Sequence, residues 1–317
     1  MNRLLTAAAT AAMVFSGLMP AAQAEVLTIE GMIPAGSSEF TEIQSLSIER
    51  FGGRDGRALA FELEDRLTAV KIYDAPYFVI IAGRSAVDPD ASLSGNVSAG
   101  VEQYETTAKR RRCVERDDKD KCITHKNIKV DCLTRIIDYR AQVRATRYSD
   151  GRRLYAESFP DKNEQTICFG DDEDFASSES VIRTMISQTA SAVRDDLAPR
   201  EYRRDIRILE SRKGMTKVEG NFFKAAIKMT KSDPAEACRM WDEAAGNGQV
   251  HISLTFNRGL CAEQRGDLEA ALDLYEEADG FSRGKSEVTE SLRRVSDHRR
   301  ALDQWDLRPS GLAETGS

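Results

Sequence analysis

The chain between Cys132 and Cys168 is predicted to form a long β-hairpin, and this hairpin constrains the fold more than any other stretch. Two runs of strand character flank Ser149-Asp150-Gly151, in which Asp-Gly is typical of a two-residue hairpin turn. The runs are Leu133 to Tyr148 and Arg152 to Phe159. If residues pair about this turn with numbers that sum to 300, Cys132 lies opposite Cys168. That placement is what a cross-strand disulfide requires.

The first 24 residues have the three parts of a secretory signal peptide. Arg3 supplies the positive charge, an apolar run follows, and Ala22-Gln23-Ala24 is a small-residue cleavage site. We therefore expect cleavage near Ala24 and a mature protein that is periplasmic or secreted. The apolar run is short for a membrane span and no other stretch approaches the required length, so no transmembrane segment is expected.

All six cysteines follow the predicted signal peptide, and an even number in an exported protein favours disulfides. Three pairings place the midpoint of each pair at a predicted turn. They join Cys113 with Cys122, Cys132 with Cys168, and Cys238 with Cys261. A zinc site would need thiolates at close, repeated spacing with histidine partners, and only His125 lies near. No metal site is predicted.

Residues 25–199 are predicted to form an α+β domain, a mixed-sheet α/β sandwich with long β-hairpins. Apolar residues at helical spacing over residues 56–71 lie between a short strand and the apolar run 77–82, which is typical of a βαβ unit. The run 77–82 is interpreted as a strand buried on both faces. A second helix is expected to begin at Ser177 or Ser178 and to end before Pro199. Residues 200–214 are either an edge strand or a linker, and the sequence does not separate the two.

Charged clusters in this domain have a functional and a structural interpretation. The basic group at 109–112 could bind nucleic acid or anionic lipid, but a solvated strand end facing the acidic turn at 115–118 is favoured. The net charge of −7 also argues against a nucleic-acid partner. The acidic group at 170–174 could bind calcium, but acids before a helix start are ordinary partners of the helix dipole.

Residues 215–304 are predicted to form an all-α domain because two helical segments repeat at an offset of 34 residues. Ala237, Trp241 and Ala244 precede Ala271, Tyr275 and Ala278 by this offset, and Gly259 and Gly266 occupy a helix and a turn between them. The pattern resembles the tetratricopeptide repeat, although Ala262 stands where that repeat expects an aromatic residue. A helix from Ser286 to Leu302 is expected to cap the array, followed by a flexible tail over residues 305–317.

The first domain also resembles a known group of envelope proteins. The pattern of elements from Leu46 to Leu197 is similar to that of the curli-secretion lipoprotein, the penicillin-binding-protein activators and the N-terminal unit of TolB. The features that carry it are the helix and buried strand at 59–80, the strand at 93–97 and the hairpin around Asp150. This resemblance implies a role in cell-envelope assembly or regulation exercised through protein contacts. The tetratricopeptide resemblance implies a concave surface for a peptide or protein.

No sequence motif predicts catalysis. The three histidines, His125, His251 and His298, stand without a nucleophile motif, and no phosphate-binding loop or metalloprotease helix is present. We therefore expect no catalytic residues, no cofactor and no enzyme activity. The predicted function is that of a non-enzymatic periplasmic scaffold, which binds a partner protein of the cell envelope through its helical repeats. The alternative is an envelope hydrolase or a protein that binds peptidoglycan or another glycan.

Overall fold

The computed structural model describes residues 25–81 and 87–309. The predicted signal peptide at residues 1–24 lies outside the described residues, and so does most of the predicted tail. The strands of the described part are β1 (Val26–Ile33), β2 (Ser45–Ile48), β3 (Lys71–Ile72), β4 (Ala75–Pro76), β5 (Val79–Ile80), β6 (Ala91–Arg116), β7 (Cys122–Arg147), β8 (Arg153–Cys168) and β9 (Arg200–Arg207). The helices are α1 (Gly56–Thr68), α2 (Ser178–Leu197), α3 (Lys217–Met229), α4 (Pro234–Gly246), α5 (Ile252–Gln264), α6 (Leu268–Phe281) and α7 (Ser286–Asp306).

The described chain divides into two units. The helical unit contains residues 25–29 and 205–283, and the sheet unit contains residues 30–204 and 284–309. Strands β1 and β9 pair with each other in a two-stranded sheet. The pairing resolves the alternative left open for residues 200–214, because Arg200–Arg207 is a strand.

The sheet unit has a mixed five-stranded sheet in the order β5-β2-β6-β7-β8. Strand β2 runs parallel to β5 and to β6, whereas β6, β7 and β8 are antiparallel. The segment β2-α1-β5 is the predicted βαβ unit. The prediction of a mixed α/β architecture for this part of the chain is confirmed.

The central hairpin has the predicted register. Cys132 pairs with Cys168 and Ala141 with Phe159, so the paired numbers sum to 300. The connection itself is longer than a two-residue turn, because a register shift after Ala145 ends the regular pairing early. Gly151 has a φ of +70° in this connection, a conformation that glycine adopts without steric cost.

One face of the sheet is buried beneath α1 and α2. Alternate residues of β7, including Ile137, Tyr139 and Val143, are buried, and the intervening arginines are exposed. Leu63 of α1 and Val193 of α2 belong to the same apolar core. The buried residues therefore follow a period of two along the strand and helical spacing along α1 and α2.

The run 77–82 differs from its prediction as a strand buried on both faces. Tyr77 and Phe78 are buried, but Val79 is 42 % exposed and Ala82 lies outside the described residues. The run contributes only the short strand β5, which lies at the edge of the five-stranded sheet. An edge strand has a neighbour on one side only, so its side chains are less completely covered.

Helix α7 also differs from its predicted place as the cap of the repeats. Residues 284–309 group with the sheet unit, where Ala301 is buried in the apolar core and Trp305 packs against it. The predicted flexible tail begins too early, because α7 continues to Asp306. Arg308 then lies over the ring of Tyr77, 3.7 Å from its centroid. Apolar and cation–π contacts with the sheet unit hold the segment up to this point.

Candidate binding surfaces

The repeat-motif residues occupy equivalent positions on two helices of the helical unit. Ala237, Trp241 and Ala244 are buried on α4, and Ala271, Tyr275 and Ala278 are buried on α6. The ring of Trp241 contacts Phe223 of α3, with the centroids 6.2 Å apart. The ring of Tyr275 contacts Phe256 of α5 at 5.5 Å. Each second helix therefore packs an aromatic residue on the helix before it.

The two glycines of the motif have distinct roles. A Cβ added at Gly259 would lie 2.6 Å from the ring of Tyr275, so only glycine allows the close approach of α5 and α6. Gly266 has a φ of +79° in the turn between these helices. The hydroxyl of Tyr275 donates a hydrogen bond of 2.7 Å to the buried Glu263, which fixes the ring against Gly259.

The three disulfides of the structure join the pairs predicted from the turn midpoints. Cys238 of α4 is bonded to Cys261 of α5 and links the two helix pairs. In the sheet unit, Cys113–Cys122 and Cys132–Cys168 are cross-strand bonds. Disulfides persist in oxidising compartments, which fits export from the cytoplasm.

Helix α5 is almost completely buried and forms hydrogen bonds with backbone groups from distant parts of the chain. The side-chain amide of Asn257 accepts a hydrogen bond from the backbone N–H of Leu209 at 2.9 Å. It also donates one to the Leu209 carbonyl at 3.0 Å. On the same helix, Gln264 donates to the carbonyl of Thr28 at 3.1 Å. The surface of α5 thus binds extended backbone through amide side chains, which sequence reasoning missed because the partners are far apart in the chain.

Helix α3 presents an exposed polar face instead. Four residues at helical spacing lie on it: Lys217, Asn221, Lys224 and Lys228. Its buried face carries Phe223, Ala226 and Ile227. Thr216 and Glu219 form a capping box that fixes the start of the helix. The exposed face therefore combines positive charge with an amide on a well-capped helix.

The basic group at 109–112 lies in an exposed ribbon, which we define as residues 101–133 of β6, β7 and their connecting turn. The sequence predicted that this group faces the acidic turn at 115–118, but the structure shows another acidic partner for Arg112. Arg112 contacts the carboxylate of Asp171 at 2.9 Å and donates to the carbonyls of Phe169 and Gly170. A hydrogen bond from the Cys168 backbone holds the pKa of Asp171 below its usual value, and the nearby Arg110 and Arg112 add to this effect.

A cavity of about 460 Å³ lies in the sheet unit and was not anticipated from the sequence. Its lining includes Gly31, Tyr73, Tyr202 and His298. A Cβ at Gly31 would lie 2.6 Å from the hydroxyl of Tyr202 and 2.9 Å from Nδ1 of His298, so both side chains lie directly over this glycine. Burial raises the pKa of Tyr73, and the carboxylates of Glu201 and Asp306 raise it further. The separation of these residues in sequence hides the cavity from pattern analysis.

The three histidines lie far apart in the sequence, and the contacts of their side chains differ. His251 caps α5 by accepting a hydrogen bond from the N–H of Ser253 at 3.1 Å. Nδ1 of His125 lies 3.7 Å from Sγ of Cys122, which is part of a disulfide. Within the described ranges, no three His, Cys, Asp or Glu side chains are grouped so that they could hold a metal ion.

Comparisons with known proteins identify no family for this chain. No protein-family model matches it, and no curated protein matches it. A solved structure of a minor lipoprotein from Acinetobacter baumannii is 12 % identical, covers 49 % of this chain and 90 % of its own, and has a TM-score of 0.23. The PelC dodecamer from Paraburkholderia phytofirmans is 11 % identical, covers 52 % and 97 %, and has a TM-score of 0.22. Likeness at this level carries no conclusion about function.

In residues 25–81 and 87–309, no helix combines the length and apolar character needed to cross a bilayer.

Proposed function

We propose that the protein is a non-enzymatic scaffold of the cell envelope, which acts in the periplasm and binds a partner protein through its helical unit. Three disulfides support an oxidising compartment. The signal-peptide pattern at residues 1–24 supports export. The proposal locates the binding function in residues 205–283.

The contact between Asn257 and Leu209 carries this proposal. One amide side chain on a first helix of the repeats pairs with both backbone groups of an extended segment. The same two bonds would hold any extended peptide, since they involve no side chain of Leu209. Recognition of extended segments on helical-repeat surfaces is a common use of such architectures. In this chain the amide of Asn257 on α5 is already bonded to Leu209, whereas α3 has an exposed polar face that is open to a partner.

The open face of α3 defines the chemistry of the proposed partner. Lys217, Lys224 and Lys228 supply positive charge, and Asn221 supplies an amide like that of Asn257. No described residue forms an ion pair with these three lysines. The partner segment is therefore acidic and extended, with backbone groups accessible to Asn221. Its charge would be complementary to the α3 face.

Affinity capture from an envelope extract tests this function. The protein lacking residues 1–24 is immobilised and compared with its Lys224→Glu/Lys228→Glu variant. Both positions are exposed, so folding is expected to be unaffected, and circular dichroism verifies this. We expect the variant to lose proteins that the parent retains. A matched variant on α6, Glu276→Lys/Glu277→Lys, should retain them.

Equal recovery by the parent and the α3 variant would contradict binding through this helix. A candidate that the parent and the α6 variant retain but the α3 variant loses is then purified, and its acidic segments are titrated against the immobilised chain. If only the α6 variant loses binding, the partner binds at α6 and not at α3.

A further inference from the structure

The outer edge of β6 is open along most of its length. On this side β6 pairs with β2 only over Ala91 to Leu93 and forms an isolated bridge at Asn96. In the described part of the chain, no strand pairs with this side beyond the bridge. We call residues 99–111 of β6 the open edge. Their side chains are exposed or half-exposed on both faces.

The direction of the backbone groups along the open edge follows from the bonds at its start. The carbonyls of Leu93 and Gly95 accept hydrogen bonds from the β2 side, and the N–H of Val97 donates to the same side. Backbone groups alternate in direction along a strand. The pairing with β7 is regular as far as Cys113, so the odd-numbered residues from Ala99 to Arg111 direct their N–H and C=O groups outward. The open edge therefore offers a ladder of donors and acceptors to a further strand.

Positive charge is concentrated beside this ladder. Six residues, which we call the basic band, lie between the two disulfides of the ribbon: Lys109, Arg110, Arg111, Arg112, Lys126 and Lys129. Residues 107–113 and 124–130 contain no acid, in a chain of net charge −7. Apart from Arg112, no member of the band makes an ion pair with a described residue.

Two like-charged pairs face each other across the band. Lys109 is opposite Lys129, and Arg112 is opposite Lys126. Directly opposed like charges destabilise a sheet, because their Cβ atoms lie only about 5 Å apart. Asp171 offsets this repulsion at Arg112, whereas Lys109 and Lys129 have no acid paired with them in the described structure. The Cys113–Cys122 and Cys132–Cys168 bonds hold the register on both sides of the band.

The acidic end of the ribbon and the unpaired backbone groups of the open edge together favour a polypeptide as the ligand of this edge. A membrane surface that met the end of the ribbon would encounter residues 115–121, where acids outnumber bases four to three. Anionic lipid is therefore disfavoured at this end. An acidic glycan would satisfy the charges but would leave the backbone ladder unpaired, since it has no peptide groups. An acidic peptide in extended conformation satisfies both.

We propose that the open edge of β6 binds an acidic, extended segment of another protein as an additional β-strand. The segment pairs with the outward backbone groups of the odd-numbered residues. Its carboxylates lie beside Lys109 and Arg111 on one face of the sheet, where they also reduce the repulsion between Lys109 and Lys129. This site is in the sheet unit and is independent of the function proposed for the helical unit.

The structural alternative is that the charges only protect the open edge from pairing with other chains. Lysine and arginine on an exposed strand are a known defence against edge-to-edge aggregation. This alternative predicts that the edge binds no strand at all, and that removal of the charges promotes self-association.

Binding of a synthetic peptide to the intact chain tests the proposal. The probe is a fluorescent peptide as long as the open edge, in which glutamate alternates with threonine. Its affinity is measured by fluorescence anisotropy for the parent and for Lys109→Glu/Arg111→Glu. We expect this variant to weaken binding by about tenfold or more, equivalent to about 1.4 kcal/mol. The matched variant Arg140→Glu/Arg144→Glu makes the same change of charge on β7, which is paired on both sides, and should bind as the parent does.

A second probe separates strand addition from charge attraction. The same peptide with a methyl group on every backbone nitrogen keeps its carboxylates but cannot donate to the ladder. We expect it to bind at least about tenfold more weakly than the parent peptide. Hydrogen–deuterium exchange should show that the unmethylated peptide protects the N–H groups of odd-numbered residues from Val101 to Arg111.

Several outcomes would overturn the proposal. If the methylated peptide binds equally well, or if the peptide leaves hydrogen–deuterium exchange along β6 unchanged, no strand is added. The site would then bind anions through charge alone. Tighter binding of polygalacturonate or of phosphatidylglycerol vesicles than of the peptide would assign it to a glycan or a membrane. Absence of any binding, with self-association of the Lys109→Glu/Arg111→Glu variant, would leave only the protective role.

Discussion

The side-chain amide of Asn257 forms hydrogen bonds with both backbone groups of Leu209, a residue 48 positions earlier in the chain. The contact is buried and lies within the helical unit. It joins α5 to the segment that follows β9. The packing of this helix therefore involves a segment that lies outside the helices of the unit.

Replacement of Asn257 by alanine should destabilise the helical unit by about 2–4 kcal/mol, because it leaves a buried donor and a buried acceptor of Leu209 without their partner. The free energy of unfolding in urea measures the loss. Asn221→Ala on the exposed face of α3 is the matched control and should change it by less than about 0.5 kcal/mol. Equal effects of the two substitutions would contradict the role of Asn257.

Gly259→Ala should destabilise the same unit by about 1–3 kcal/mol, because the new Cβ overlaps the buried ring of Tyr275. Thermal unfolding monitored by circular dichroism provides the measurement. At Gly246, at the end of α4, an added Cβ meets nothing within 4 Å. Gly246→Ala should therefore leave the stability unchanged or raise it slightly. A Gly259→Ala protein as stable as the parent would show that α5 and α6 separate without cost.

Removal of the Cys132–Cys168 bond by Cys132→Ala/Cys168→Ala should lower the free energy of unfolding by about 2–4 kcal/mol. This bond closes a separation of 36 residues, whereas Cys113–Cys122 closes 9 near the end of the ribbon. Cys113→Ala/Cys122→Ala should therefore have a smaller effect on the urea midpoint and should mainly increase hydrogen exchange in residues 109–129. The reverse order of effects would contradict this assignment.

Stability should fall as the pH rises above about 10, in part because of Tyr155. Burial raises the pKa of this phenol, and its hydrogen bond of 2.5 Å to Asp196 raises it further. The unfolded chain releases the proton near pH 10.0, whereas the folded chain retains it, so the stabilisation present below that pH is lost above it. Urea unfolding across this range should give a shallower pH dependence for Tyr155→Phe. An unchanged slope would exclude this tyrosine as a cause.

Arg308→Ala should destabilise the sheet unit by about 1–3 kcal/mol. The guanidinium donates to the carbonyl of Tyr77 at 2.6 Å and to that of Phe40 at 3.3 Å, and it lies over the Tyr77 ring. Arg299→Ala on the exposed side of α7 is the control and should have little effect. Equal urea midpoints for both variants would contradict a stabilising role of Arg308. They would instead agree with the flexible tail that the sequence predicts from residue 305.

Local patterns were sufficient to predict the central hairpin and the buried faces of the helices. The Asp150-Gly151 turn and the alternation of β7 specify which residues pair, so the partner of Cys132 followed directly. The helical spacing around Trp241 and Tyr275 likewise predicted their burial. The assignment of these helices to the tetratricopeptide repeat stays a prediction.

The candidate surfaces were only partly predictable. The basic group at 109–112 was visible in the sequence, but its contact with Asp171 was not, because 59 residues separate Arg112 from that carboxylate. The open edge of β6 depends on the short pairing between β2 and β6, and a single sequence does not reveal which strands pair. Gly31 and His298 approach each other only in the folded sheet unit.

The sequence by itself determined the hairpin, the disulfide partners and the positions of the helices, because turn chemistry and side-chain periodicity act between near neighbours. The tertiary structure decided that α7 packs on the sheet unit and that Leu209 bonds to Asn257 of α5. It also left one side of β6 unpaired. These contacts join residues that are far apart in the chain, such as Arg308 and Phe40, which are separated by 268 positions. They depend on which apolar faces can be buried together.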